Sequence, residues 1–181
     1  IVEALLHTER DTGLDIKAVR EISVYWEQVR AQYAAFESGL PAPTSDVYLH
    51  EMPGGQFTNL RAQARSLGLE ERWSEVAQAY ADANMLFGDI VKVTPSSKVV
   101  GDMALMMVSQ KLTRQQVEDP RIEVAFPDSV VDMFKGNLGQ PEGGWPQALS
   151  KKVLKGETAT IHRPGANLPP TDLEGTRTKL K

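Results

Sequence analysis

Apolar residues recur at three- and four-residue steps along most of this 181-residue chain, and glycines follow several of these runs. The spacing places apolar side chains on one face of an α-helix, and a glycine just after the run is typical of a helix C-terminus. Such runs cover residues 15–36, 57–67 before Gly68, 73–87 before Gly88, 127–134 before Gly136 and 146–154 before Gly156. The sequence therefore predicts a mostly helical fold.

Extended structure is predicted at one or two places only. Residues 47–49, Val-Tyr-Leu, are short and β-prone, and residues 90–93, Ile-Val-Lys-Val, are a second candidate strand. Between the first two helical runs, residues 39–43 contain two prolines and predict a stiff connector that ends the first helix.

Two further helix starts are predicted from capping residues. Thr94 followed by Pro95 is a cap with a first-turn proline, for a helix that runs through Met103 and Met107. Farther along, residues 113–116 begin with threonine and end with glutamine, which is the pattern of a capping box on a short helix.

Composition limits the possible partners and chemistry. The net charge of −4 and the isoelectric point near 5.4 give no electrostatic case for binding nucleic acid or an acidic membrane. The absence of cysteine excludes disulfides, thiolate metal sites and cysteine nucleophiles. The length suits one domain. Because the chain begins Ile1-Val2 without an initiator methionine, we expect a fragment or a processed product.

The histidines do not predict a metal site. His7, His50 and His162 are isolated, and none has the spacing to a second histidine or glutamate that zinc or iron sites use. The sequence also contains no phosphate-binding glycine loop and no serine nucleophile elbow. His50 with Glu51 could form part of a polar shell, or could cap and salt-bridge locally.

The strongest candidate site follows a Pro-Gly-Gly turn. Gly54 and Gly55 can adopt positive φ and let the backbone approach a ligand, and Gln56 and Thr58 follow at once. Gln56 has a donor and an acceptor, and the Thr58 hydroxyl can accept one proton as it gives up another. Free N–H groups in the first turn of a helix would favour an anionic or enolate-like ligand. A purely structural turn is the alternative.

A second candidate site lies at the next predicted helix start, residues 94–98. Ser97 and Lys98 would present a hydroxyl and an ammonium group beside free backbone N–H donors, a setting that suits a ureido oxygen or a carboxylate. The two sites could face one ligand from two sides. Simple helix capping explains the same residues.

Several long stretches resemble the carboxyltransferase region of the pyruvate carboxylase family. The first contains Gly-Gly-Gln-Phe-Thr-Asn-Leu, and the second contains Thr-Pro-Ser-Ser-Lys-Val-Val-Gly-Asp. The similarity runs nearly from end to end, and its blocks are residues 48–60, 87–102, 126–131, 139–146 and 162–170.

The resemblance implies a fold and a domain organisation. In this family a helical funnel follows a TIM-type (β/α)8 barrel, so residues 1–160 are expected to form the C-terminal helical part of the carboxyltransferase domain. Residues 161–181 are expected to be a linker toward the allosteric and biotin-carrier region. The barrel, which is not in this sequence, would hold the divalent metal (Mn, Zn or Mg) and pyruvate, and ATP would bind in another domain.

The resemblance also implies an activity, namely ATP- and biotin-dependent carboxylation of pyruvate to oxaloacetate in anaplerosis and gluconeogenesis. In that reaction the carboxyl group passes from carboxybiotin to pyruvate. By the resemblance, Thr58 would be the catalytic proton shuttle, and Gln56, Ser97 and Lys98 would line the biotin pocket. The fragment alone is expected to be inactive because the barrel is absent.

The expected partners are pyruvate, carboxybiotin on the carrier domain and the rest of the same polypeptide, in a homotetramer activated by acetyl-CoA. No nucleic acid or membrane partner is expected. The enzyme would be cytoplasmic in a bacterium, and in the mitochondrial matrix or cytosol of a eukaryote.

Two alternatives remain open. The chain could be a non-catalytic structural or interaction fragment, in which changes to the stripes around Trp26 or Trp73 unfold the protein while changes to Thr58 or Lys98 do little. It could also be the equivalent region of an oxaloacetate decarboxylase or transcarboxylase subunit, which share a looser form of the motifs.

Overall fold

The structure, a computed structural model, describes residues 1–37 and 45–180. The chain divides into two compact units, Ile1–Pro43 and Thr44–Lys181. The connector predicted at residues 39–43 lies outside the described residues. None of the described helices is both long and apolar enough to cross a bilayer.

The first unit contains two helices, α1 (Val2–Leu5) and α2 (Ile16–Arg30), and a 3₁₀-helix at Ala31–Phe36. The predicted helix over residues 15–36 is therefore confirmed, although its last turns are 3₁₀. Asp15 caps α2, because its carboxylate accepts hydrogen bonds from the backbone N–H groups of Lys17 and Ala18. No residue of α1, α2 or the 3₁₀-helix is buried within this unit.

The second unit contains the remaining helices and a continuous apolar core. Its α-helices are α3 (Val47–His50), α4 (Gly54–Ser66), α5 (Trp73–Leu86), α6 (Ser96–Gln110), α7 (Arg114–Glu118), α8 (Asp128–Phe134), α9 (Gln147–Leu154) and α10 (Leu173–Lys179). Two 3₁₀-helices, Glu70–Arg72 and Pro164–Asn167, complete the described elements. The helical fold class is confirmed, and the role of residues 161–181 as a linker stays a prediction.

The α5–α6 pair is at the centre of this unit, with α4 and α8 packed against α6. Val100 and Met103 of α6 and Tyr80 of α5 are completely buried. Phe134 of α8 is also fully buried and lies between two aromatic rings, edge-on to Phe87 at 5.4 Å and stacked on Trp145 at 4.6 Å between centroids. The aromatic contact between Phe134 and Phe87 packs α8 against the end of α5.

Helix ends follow the predicted pattern. Gly68, after α4, has a φ of +69°, and the N–H groups of Gly68 and Leu69 bond back to carbonyls of the last turn. Glycine adopts a left-handed conformation at no steric cost, which explains why the helix ends there. The predicted capping box of Thr113 and Gln116 at the start of α7 is also confirmed.

The predicted strands are wrong for the residues that the structure describes. Residues 47–49 lie in α3, whose first turn is closed by bonds from the N–H groups of Leu49 and His50 to the carbonyl of Asp46. Residues 90–93 adopt neither helix nor strand. Three β-prone residues are too few to form a strand without a neighbouring strand to pair with.

The predicted threonine cap of α6 is also wrong. The helix begins at Ser96, and Pro95 occupies the N-cap position, so Thr94 lies one residue too early to cap it. Instead the Ser96 hydroxyl accepts a hydrogen bond from the N–H group of Val93 at 3.1 Å. The predicted helix through Met103 and Met107 is present.

Candidate functional site

The Pro-Gly-Gly segment forms the start of α4 rather than a loop before it. Pro53 is the N-cap residue, and Gly54 and Gly55 are the first two helical residues. Neither glycine has a positive φ, so the expectation of a left-handed turn is wrong. A Cβ atom at either position would have no neighbour within 4 Å, so the space beside this helix start is open.

Gln56 connects this helix start to α6. Its side chain is buried, with 7% of its surface exposed. The amide lies against Gly101 of α6 so closely that an added methyl group at position 101 would overlap it and would approach Leu60 Cδ1 to 3.0 Å. Gly101 therefore permits the contact between α4 and α6 at this point.

Ser97 is one turn before Gly101, so the two residues share a face of α6. Ser97 is also buried, with 7% of its surface exposed, and its carbonyl accepts a hydrogen bond from the Tyr80 hydroxyl at 3.2 Å. Within the part of the chain that the structure describes, neither the Ser97 hydroxyl nor the Gln56 amide makes a hydrogen bond. Gln56 thus lies against Gly101, and Ser97 is one turn before Gly101 on the same helix face.

Lys98 is in the first turn of α6 and its side chain is 59% exposed. Its ammonium donates to the Asp102 carboxylate at 2.7 Å, one turn along the same helix. Ser129, from the start of α8, donates to the same carboxylate oxygen at 2.7 Å. The cation is therefore held near the N-terminus of α6, on a carboxylate that α8 also contacts.

Thr58 lies on a different face of α4 from Gln56, because two residues apart on a helix do not face the same way. Thr58 is exposed, and its hydroxyl donates to the carbonyl of Gly55 at 3.0 Å, a bond inside its own helix. Thr94 is also exposed and precedes Ser97 and Lys98 by three and four residues. Its hydroxyl makes no hydrogen bond to any described residue. Thr94 is therefore a second hydroxyl that the sequence-based choice of Thr58 passed over.

An ion pair lies beside the site, and only one of its two residues was considered from the sequence. Glu51, considered above as part of a polar shell or a local salt bridge, accepts from the ammonium of Lys92 at 2.8 Å. This hydrogen bond, with the lysine charge, lowers the pKa of Glu51. Lys92 was missed, because the two residues are 41 positions apart and nothing in the sequence pairs them.

His50 is a structural residue in this arrangement. It is buried, and its Nδ1 accepts a hydrogen bond from the N–H group of Met52 at 3.0 Å. Burial lowers the pKa of His50, and the Asp46 carboxylate partly offsets the effect. The ring also packs against Phe57, 5.4 Å between centroids. A neutral histidine here stabilises the turn between α3 and α4.

The described residues hold no cluster of three or more histidine, aspartate or glutamate side chains that could bind a metal ion. The donor set at the candidate site is instead an amide, hydroxyls and one ammonium group. Such groups suit a neutral polar or anionic organic ligand rather than a divalent cation.

Comparison with known proteins identifies relatives over nearly the whole chain. The conserved carboxylase domain model matches residues 47–181. Pyruvate carboxylase of Bacillus subtilis is 49% identical over 178 residues, which is 98% of this chain and 16% of the relative. The Staphylococcus aureus pyruvate carboxylase is 51% identical over 172 residues, 95% of this chain and 15% of the relative. The chain thus spans about a sixth of the length of these relatives.

Solved structures match this chain over nearly its whole length and at higher sequence identity. The carboxyl transferase domain of Rhizobium etli pyruvate carboxylase has a TM-score of 0.93 and 68% identity, over 99% of this chain and 30% of that domain. The same domain solved with pyruvate and biocytin has a TM-score of 0.94 and 68% identity, over the same shares of the two chains.

Proposed function

This chain belongs to the pyruvate carboxylase family, and we propose that it forms part of the carboxyltransferase site, where a carboxyl group passes from biotin to pyruvate to give oxaloacetate. Because the chain spans 16% of the Bacillus subtilis relative, we propose that the complete carboxylation of pyruvate also requires the rest of the polypeptide. The named relatives are pyruvate carboxylases, which favours this enzyme over an oxaloacetate decarboxylase or transcarboxylase subunit.

The observation that carries the proposal is a pair of largely buried polar side chains in the first turns of α4 and α6 that make no hydrogen bond within the described residues. Gln56 and Ser97 are each 7% exposed, and neither finds a hydrogen-bond partner for its side chain among the described residues. The amide of Gln56 and the hydroxyl of Ser97 therefore remain available to a ligand, the first as donor and acceptor and the second as donor or acceptor.

Biotin fits this donor set. When bound, it supplies the carboxyl group for transfer and presents a ureido group with N–H donors and a carbonyl acceptor. Gln56 can both accept from and donate to such a group, and the Ser97 hydroxyl can donate to its oxygen. Oriented donors of this kind stabilise negative charge that develops on the ligand.

Lys98 is proposed to bind the carboxyl group that is transferred from biotin to pyruvate. Its ammonium is 2.7 Å from Asp102, and because the lysine side chain is 59% exposed, it can reach an incoming anion while it stays near that carboxylate. A charge-assisted hydrogen bond to a carboxylate is about twice as strong as one between neutral groups.

A threonine hydroxyl is proposed to relay a proton between pyruvate and the ligand, because one oxygen can accept and donate without becoming a stable charged group. Thr58 is the hydroxyl that the family resemblance suggested, but its proton is used in the bond to Gly55. Thr94 is the second candidate, and its uncommitted hydroxyl close to Ser97 and Lys98 favours it.

The rest of the proposal concerns parts outside this chain. By the family resemblance, pyruvate, the divalent metal (Mn, Zn or Mg) and ATP would bind elsewhere in the full polypeptide. A homotetramer activated by acetyl-CoA is proposed as the assembly. The compartment would be the cytoplasm of a bacterium, or the matrix or cytosol of a eukaryote.

The test uses a full-length pyruvate carboxylase that carries this sequence. The Ala variant of the relay residue, Thr58→Ala or Thr94→Ala, is expected to lose oxaloacetate formation by about 10²- to 10⁴-fold, the usual contribution of a proton-transfer group. Bicarbonate-dependent ATP cleavage should continue, because it occurs at another site. A serine at the same position should restore most of the activity.

Ser66→Ala is the matched control, because Ser66 is also on α4 and its hydroxyl also bonds to the carbonyl three residues before it, that of Gln63. Normal oxaloacetate synthesis in both threonine variants would reject the relay. Normal synthesis in Lys98→Ala as well would favour the non-catalytic alternative.

A further inference from the structure

Two fully buried polar residues of α5 support the start of α6 at the candidate site. Tyr80 and Asn84, one turn apart on α5, have no exposed surface. The Tyr80 hydroxyl donates to the Ser97 carbonyl at 3.2 Å, in the first turn of α6. The Asn84 amide donates to the Asp89 carboxylate at 2.7 Å, in the segment that leads to α6. One face of α5 therefore supports both the start of α6 and the residues before it.

The Glu51–Lys92 ion pair connects the same region to α4. Its N···O distance is 2.8 Å, and the Lys92 side chain is only 14% exposed. Glu51 is five residues before Gln56, and Lys92 is five residues before Ser97. The ion pair thus joins the chain segment before α4 to the chain segment before α6.

This pair differs from an ordinary surface salt bridge. Exposed pairs contribute about 0–1 kcal/mol and rarely hold a fixed geometry. The Lys92 side chain, in contrast, is only 14% exposed, although its partner Glu51 is 47% exposed, and residues 90–95 are in no helix or strand. Ile90 in the apolar core and the Ser96 hydroxyl, which donates to the carbonyls of Val91 and Val93, hold the two ends of this segment. Between them, the bond from Lys92 to Glu51 reaches across to the approach to α4.

We propose that Lys92 is a positioning residue for the carboxyltransferase site: by pairing with Glu51 it sets the separation between Gln56 and Ser97, and so the fit of the biotin ureido group. The inference rests on the function proposed above. Loss of the pair lets residues 90–95 shift against α4, so the affinity for biotin falls while the reacting groups themselves remain.

The experiment measures the transfer of the carboxyl group from oxaloacetate to added free biotin, as pyruvate release, in the full-length enzyme. Lys92→Met keeps the aliphatic stem and removes the charge. We expect about a tenfold rise in KM for free biotin, which corresponds to about 1.4 kcal/mol, with kcat changed less than KM. Lys92→Arg, which can still bond to Glu51, should restore KM to within about threefold of the parent value.

Lys155→Met is the matched control, because it removes another lysine that pairs with a distant glutamate, Glu123 at 3.2 Å, away from α4 and α6. It should leave KM unchanged. Ser97→Ala serves as the reference for the site itself and should raise KM for free biotin.

The outcomes separate the inference from the proposed function. If Ser97→Ala raises KM and Lys92→Met leaves it within twofold of the parent, the site stands and the positioning role is overturned. If neither variant changes KM, both fail together. If Lys92→Met lowers kcat and the unfolding midpoint without a rise in KM, and Lys92→Arg does not rescue it, Lys92 is only structural and the inference is overturned.

Discussion

Helices α2 and α6 are each 15 residues long and both have apolar residues at helical spacing, yet their surroundings differ completely. Ile22 and Trp26 of α2 are 56% and 59% exposed, whereas Val100 and Met103 of α6 are fully buried. The periodic pattern thus predicts a helix and its apolar face in both cases. Burial depends in addition on packing against other elements: α4, α5 and α8 pack against α6, whereas none of the described helices of the first unit has a buried residue.

The difference has energetic consequences. Helix α6 is stabilised by contacts with α4, α5 and α8. In the first unit, the contacts are exposed, such as the Asp15 cap and the ion pair of Glu3 with Arg20 between α1 and α2. Because isolated helices of about 15 residues are marginal in water, α2 is expected to unfold separately from the second unit and more readily.

The largest effect is expected from a truncation in the core of the second unit. Phe134→Ala removes a fully buried ring that packs against Phe87 and Trp145, so it should lower the free energy of unfolding by about 3–5 kcal/mol. Urea denaturation of the chain, followed by circular dichroism, measures this. A loss of unfolding free energy below about 1 kcal/mol would mean that the core relaxes around the cavity. It would weaken the contrast between the buried second unit and the exposed helix α2.

A smaller effect is expected from the same type of change in the caps of the two units. Thr113→Ala removes the cap of α7 and should cost the cooperative second unit about 1 kcal/mol. Asp15→Ala removes the cap of α2 and should reduce the helix content of the first unit, while the unfolding midpoint of the second unit is unchanged. Hydrogen exchange resolves the two. A shift of the shared midpoint by Asp15→Ala would show that the units unfold together.

The smallest effect is expected from Trp26→Ala on the exposed face of α2. Since the indole is mostly in solvent, the free energy of unfolding of this chain should change by less than about 0.5 kcal/mol. The same denaturation experiment, with Phe134→Ala beside it, gives the comparison. A cost close to that of Phe134→Ala would instead support the structural alternative, in which the Trp26 stripe is essential for folding.

The helices could be predicted because their signals are local. Apolar spacing located α4 and α5, and Gly68 and the Thr113–Gln116 box marked helix ends that depend on neighbouring residues only. The Thr94-Pro95 pair predicted α6 but not its N-cap residue. The strand prediction for residues 47–49 failed because a strand depends on a pairing partner and not only on its own residues. Three β-prone side chains express a weak preference, and the turn that starts at Asp46 overrides it.

The candidate site was predictable only in part. Gln56, Ser97 and Lys98 lie in the first turns of two helices, a setting that sequence can identify. The contact of Gln56 with Gly101 and the pairing of Glu51 with Lys92 join residues 45 and 41 positions apart, and they depend on how α4, α5 and α6 pack. No local pattern encodes such distances.

The left-handed backbone of Glu51, with a φ of 58°, restricts how position 51 can change during evolution. Glycine, asparagine and aspartate tolerate this conformation best, whereas the partner Lys92 demands a carboxylate with sufficient reach. Aspartate is the one replacement that partly meets both requirements. Among homologous chains, departures from an acidic residue at this position should therefore be accompanied by loss of the lysine, so that the two alignment columns vary together.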